Sequence, residues 1–142
     1  MKAKRLLALV LAAAMVFALA GCVDQHPDTQ EDTDADTENP RLVATSPAVA
    51  QICNRLELDL VGVCQTSGTL PERYQDLPKV GLAMNPDLEI LKSLEPDYIL
   101  SPNSLESDLQ PKYASIGVKS LFLNLKSVDG MYAAIEGLGK KF

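Results

Sequence analysis

Few residues of this 142-residue chain have both a type and a setting suited to chemistry. Met84 is the first of them. It follows Gly81-Leu82-Ala83 and precedes Asn85-Pro86, a pair that reads as the cap and first position of a helix. Its thioether is therefore expected at a helix start, where it would suit a soft metal or haem iron. Methionine is more ordinarily a packing residue. A hydrophobic staple would pair it with the fourth helical position, which is Glu89, so that form of packing is disfavoured while general core packing stays open. A nucleophilic serine or cysteine would need a positioned base, yet the single histidine, His26, lies in an acidic stretch that cannot hold it. No Gly-rich phosphate loop or H-E-x-x-H element occurs, and the carboxylates after Pro40 show no pairing pattern. Cys53 and Cys64 have neither redox nor zinc spacing and are expected to be buried or semi-buried thiols. Pairing with each other outside the membrane is the alternative, and a redox role would require them to be close, with one at a lowered pKa. The residue types point to binding and away from an enzyme.

The N-terminus says where that binding takes place. Lys2, Lys4 and Arg5 precede an acid-free apolar run from Leu6 to Leu19, which is shorter than the roughly 20 residues of a membrane-spanning helix. Residues 1–21 read as a signal peptide. Leu19-Ala20-Gly21-Cys22 resembles the bacterial lipobox, whose cysteine is acylated and becomes the first residue of the mature protein. Ordinary cleavage with Cys22 left as a thiol is the alternative. A lipid-anchored protein on the extracytoplasmic face of the cell membrane is the expectation. Residues 22–39, with seven acids and no Lys or Arg after Cys22, read as a disordered tether. The chain has 13 basic and 19 acidic residues. Setting aside the three basic residues of the leader and the seven acids of the tether leaves ten against twelve, a balance that argues against nucleic-acid binding.

Residues 40–142 must then position whatever the chain binds. Short apolar runs at Leu42–Ala44, Leu60–Val63, Lys79–Gly81, Tyr98–Leu100 and Ser120–Leu123 alternate with helical patterns. The fold class is α/β: a single Rossmann-like lobe with a mainly parallel sheet flanked by helices. Ser46-Pro47 starts a helix through Ile52 and Leu56. Asn85-Pro86 starts one through Leu88, Leu91 and Leu94, ended by Glu95-Pro96. Asn103 with Glu106 resembles a capping box ahead of Leu109 and Tyr113, and Ser127 opens a fourth helix through Met131, Ala134, Ile135 and Leu138. In the first three cases a capped start lies close to a strand's end, so a parallel sheet gathers several helix N-termini at one edge. Ligands bind at that edge in open α/β sheets, and free N–H groups there suit carboxylate or phosphate. Capped starts are also simply how helices begin.

The stretches Arg41-Leu-Val-Ala-Thr-Ser-Pro, Leu60-Val-Gly-Val, Leu77-Pro-Lys-Val-Gly-Leu-Ala-Met-Asn-Pro-Asp-Leu-Glu and Leu94-Glu-Pro-Asp-Tyr-Ile-Leu carry a family likeness. The region from Arg41 to Phe142 resembles the N-terminal lobe of the iron-chelate and cobalamin binding proteins of ABC importers. Within that superfamily it is similar to the haem-receptor lipoproteins of Gram-positive bacteria, through Thr69-Leu-Pro-Glu-Arg-Tyr, Pro78-Lys-Val-Gly, Met84-Asn-Pro-Asp and Phe122-Leu-Asn-Leu-Lys-Ser. The resemblance implies one half of a two-lobed fold that captures haem and delivers it to a permease and its ATPase. It implies that Met84 is an axial ligand of haem iron, with a histidine supplied by a second lobe. It places Pro47, Ala48, Thr66 and Ser67 against the porphyrin or its propionates, Ser67 standing where a larger aromatic is usual. Glu106 matches the acid that docks such lobes on the permease, and a helix cap is the competing reading. Cobalamin or a siderophore is the alternative ligand. A tethered interaction module without transport activity, expected if the lobe stands without its second half, is the alternative class.

Overall fold

The computed structural model describes residues 39–142, so the expectations for the signal peptide, Cys22 and the tether with His26 lie outside the described residues. Four strands form the main sheet: β1 (Leu42–Ala44), β2 (Leu60–Val63), β5 (Tyr98–Pro102) and β6 (Lys119–Leu123). They run parallel in the order β2-β1-β5-β6, as the continuous apolar runs lead one to expect. Alternation along the central strands divides the core. Leu42, Ala44, Tyr98 and Leu100 face one layer and pack with α1 (Pro47–Arg55) and α4 (Val128–Lys141). Val43 and Ile99 face the other, with Leu91 of α2 (Leu88–Ser93) and Leu109 and Tyr113 of α3 (Glu106–Ser115). Helices on both faces give a doubly wound sheet, and the chain's direction across it reverses between β1 and β5.

Two helix starts follow the sequence reading. The Ser46 hydroxyl accepts from Val49 N–H at 3.3 Å, with Pro47 in the first turn of α1, and the Ser127 hydroxyl accepts from Gly130 N–H at 3.1 Å at the head of α4.

Two do not. Asn85 is not a cap and Pro86 is not the first residue of a helix. The cap is Asp87, whose Oδ1 accepts from Glu89 N–H at 3.0 Å and Ile90 N–H at 3.1 Å. Asn85–Pro86 is instead β4, paired antiparallel with β3 (Gly81–Leu82). Gly81, at φ +90°, lets the chain fold back here, and Asp87 N–H donates to Val80 O at 2.8 Å, so the hairpin captures the two residues before the helix can begin. The expected strand at Lys79–Gly81 does run along the outer edge of β2: Val63 N–H donates to Pro78 O, Val80 N–H to Val63 O and Gln65 N–H to Gly81 O.

The Asn103–Glu106 capping box is likewise absent. Asn103–Leu105 turn as a short 3₁₀ segment, with Glu106 N–H bonded to Asn103 O, so Glu106 begins α3 instead of occupying its third position. No side-chain cap closes that helix. A cap needs extended backbone, and here that geometry has passed back to Pro102.

Candidate functional site

Because the strands are parallel, the segments that follow them emerge on one edge. After β1 come Thr45 and Ser46, both buried, then Pro47, partly buried, and Ala48, exposed, in the first turn of α1. After β2 come Gln65, Thr66 and Ser67. Thr66 is half-buried and its hydroxyl accepts from Gly68 N–H at 3.0 Å, closing a tight turn that leaves Ser67 exposed. After β5 come the 3₁₀ segment and Glu106, exposed at the start of α3. The edge thus collects Pro47, Ala48, Thr66, Ser67 and Glu106 from three strand ends.

Met84 reaches the same edge by another route. The bond from Gln65 N–H to Gly81 O, 2.7 Å, fastens the base of the β3–β4 hairpin beside the loop that follows β2. The ladder pairs Gly81 with Pro86 and Leu82 with Asn85, leaving Ala83 and Met84 as the two-residue turn. A side chain at position 81 would put its Cβ 2.8 Å from Asp87 N and 3.0 Å from Asn85 O, so only glycine fits. Met84 is 75% exposed and Leu82 57% exposed. This excludes both the staple and the core role for Met84: its thioether stands in solvent beside another uncovered apolar side chain.

Among the described residues no three His, Cys, Asp or Glu side chains gather to hold a metal ion. An exposed thioether on a hairpin suits one coordination position of a metal already held in a chelate. Cys53 and Cys64 are free and fully buried, as expected. Burial pushes the Cys53 thiol up to about 12, and it raises Cys64 as well against the opposing charge of Lys79. Neither has the lowered pKa that redox chemistry requires.

Sequence reading missed a chain of hydroxyls beneath this edge. Thr45 Oγ1 lies 2.6 Å from Ser101 Oγ, which lies 3.1 Å from the Tyr113 hydroxyl, and Thr45 Oγ1 also donates to Leu100 O at 3.2 Å. The available signal was a hydroxyl residue directly after each of two apolar runs. Asn103 Oδ1, at the end of β5, is buried with no partner.

A profile of the family described as periplasmic binding protein matches residues 42–142. The high-affinity heme uptake system protein IsdE of Staphylococcus aureus is 34% identical over 127 residues, which is 89% of this chain and 42% of that protein. The chain therefore spans about two fifths of the length of the curated relatives it matches. Among solved structures, an ABC transporter substrate-binding protein from Listeria monocytogenes is 40% identical with a TM-score of 0.72, covering 73% of this chain and 40% of that one. Staphylococcus aureus IsdE complexed with heme is 35% identical with a TM-score of 0.70, covering 72% and 40%.

Proposed function

We propose that the chain, which belongs to the periplasmic binding protein family, is the haem-capturing component of an ABC importer, working by binding and delivery without chemical change to its cargo. The observation that carries this reading is Met84, 75% exposed at a hairpin tip that is fastened to the ligand edge through Gln65 and Gly81. An axial ligand must reach the iron from outside the macrocycle plane, and a thioether held clear of the core does so. Leu82 beside it offers apolar surface to the porphyrin.

The other assignments are those the family resemblance implies, taken with where the residues stand. Pro47 and Ala48 meet the macrocycle or its propionates at the start of α1, where the helix dipole favours negative charge. Thr66 and Ser67 flank it from the turn after β2. Glu106, exposed and bound to no capping role, serves as the acidic contact to the permease. Cys22 carries the lipid that keeps the lobe at the membrane. Similarity to a heme uptake protein and to a heme-bound structure supports the choice of haem over cobalamin or a siderophore.

Titrating the chain with haem and recording the visible spectrum, with Met84→Ala alongside, tests the reading. A shift of the haem absorption band that is lost in Met84→Ala is the expected result. A band indifferent to the substitution would remove Met84 from the iron. Binding of a ferric siderophore in place of haem would change the ligand class, and a folded chain that takes up neither would favour a tethered interaction module.

A further inference from the structure

We propose that Thr45, Ser101 and Tyr113 are positioning residues, a hydroxyl chain that ties the ends of β1 and β5 to α3 and so holds the start of α1 in its binding geometry. The proposal rests on the reading of this edge as a ligand site, and haem is used as its probe.

The placement comes first. Ala44 is in register with Leu100, so Thr45 and Ser101 form the next row across the two central strands, at the point where the sheet's winding reverses. Thr45 leads directly into Ser46, Pro47 and Ala48. Ser101 leads into Pro102 and Asn103, and Tyr113 belongs to α3, the helix that begins with Glu106. The three side chains thus join β1, β5 and α3, and with them the starts of α1 and α3, which carry Pro47, Ala48 and Glu106.

The direction of the chain follows from donor and acceptor counting. Each hydroxyl has one proton, and Leu100 O, 3.2 Å from Thr45 Oγ1, can only accept. Thr45 therefore donates to the carbonyl, Ser101 donates to Thr45 at 2.6 Å, and Tyr113 donates to Ser101 at 3.1 Å. All three protons point the same way, and each bond polarises the next. Thr45, Ser101 and Tyr113 are 1%, 0% and 0% exposed. Stability alone gives no reason for such a network, because apolar side chains of the same shape fill a core about as well. What the hydroxyls add is direction: an apolar contact tolerates sliding, whereas a 2.6 Å hydrogen bond does not. Tyr113 is also stacked on Phe122 of β6, ring centroids 6.2 Å apart, which fixes the donor end.

Four substitutions in the full chain test this. Thr45→Val removes the hydroxyl at constant shape, Thr45→Ser keeps it, Tyr113→Phe removes the first donor, and Leu109→Ala opens a cavity on the same helix while keeping all three hydroxyls. Thr45→Val and Tyr113→Phe are expected to weaken haem binding by the folded protein about tenfold. Thr45→Ser and Leu109→Ala are expected to leave it within about twofold, although Leu109→Ala lowers the melting temperature most. Haem affinity that tracks melting temperature across all four, or that is unchanged in Thr45→Val, overturns the proposal. If the unsubstituted chain binds no haem, the haem reading fails separately, and amide exchange then decides this one. Exchange at Thr45 and Val49 should rise about tenfold in Thr45→Val relative to Leu60–Val63. A uniform rise, or none, overturns the proposal.

Discussion

The rim that follows β1 and the hairpin that follows β2 lie at the same edge of the sheet but are held by different forces. At the β1 rim the side chains are engaged: Thr45 is bonded to Leu100 O and Ser101, and Ser46 caps α1. At the hairpin it is the backbone that is engaged, through Gln65 to Gly81 and Asp87 to Val80, while Leu82 and Met84 point into solvent. Two-stranded hairpins are marginal by themselves, so this one depends on those two anchors. The first rim presents a fixed surface. The second presents a thioether with three free torsions on a fixed base, and ordering that side chain on capture costs about 1–2 kcal/mol of rotamer entropy. Under the proposed reading, the first rim would meet a rigid planar ligand and the second would adjust to its metal.

The comparison breaks most completely at Gly81. Gly81→Val forces a branched side chain to φ +90° and drives its Cβ against Asp87 N and Asn85 O. We expect about 3 kcal/mol of destabilisation in urea unfolding, with loss of the hairpin's contribution to binding. Gly117 is a control with similar backbone, φ +73°, and nothing within 4 Å. Gly117→Val should cost only about 2 kcal/mol, so the difference between the two isolates the clash from the strain.

Alkali breaks the other rim from beneath, because α1 begins at Pro47 and carries Cys53 in the core. Burial raises Cys53 from 9.0 to about 12 and Tyr74 from 10.0 to about 12. The unfolded chain releases these protons first. Stability is therefore fully present below pH 9 and falls as pH rises toward 12, by about 1.4 kcal/mol per unit for Cys53 and more steeply once Tyr74 joins above pH 10. Cys64, raised by burial as well, adds to the same fall. Urea midpoints measured from pH 8 to 11 should decline, and Cys53→Ala should flatten the decline between 9 and 10.

The contrast between the rims also explains what could be read from the sequence. Parallel strands buried on both faces announce themselves as apolar runs, and Ser46-Pro47 and Ser127 are local signals whose outcome is local, so both caps and the α/β class were legible. Asn85-Pro86 carries an equally good local signal. It lost to pairing with Gly81–Leu82, a contact made available by one glycine's backbone. Asn103 and Glu106 failed as a capping box because the chain leaving β5 tightens into a 3₁₀ turn before the helix. Met84 was legible as a residue worth attention but not as an exposed one, since exposure depended on that hairpin. The Thr45–Ser101–Tyr113 chain was invisible because its three members lie 56 and 12 residues apart and meet only once the sheet forms.

The comparison sharpens at its smaller effects. Ser46→Ala removes the cap of α1 and should cost about 1 kcal/mol by thermal or urea unfolding, with a modest loss of ligand affinity as the first turn frays. Met84→Ala should change stability by less than about 0.5 kcal/mol, because a side chain 75% exposed contributes little to the core. The two rims thus predict opposite pairings of stability and binding. At the β1 rim loss of the Ser46 cap should lower both, because the hydroxyl that holds the first turn of α1 also holds Pro47 and Ala48 in place. At the hairpin the thioether can be removed with the scaffold untouched, so under the proposed reading the haem spectrum should change while the urea midpoint does not. A Met84→Ala chain that unfolds markedly more easily would mean that the thioether packs in solution, and the division between a fixed rim and an adaptable one would then be lost.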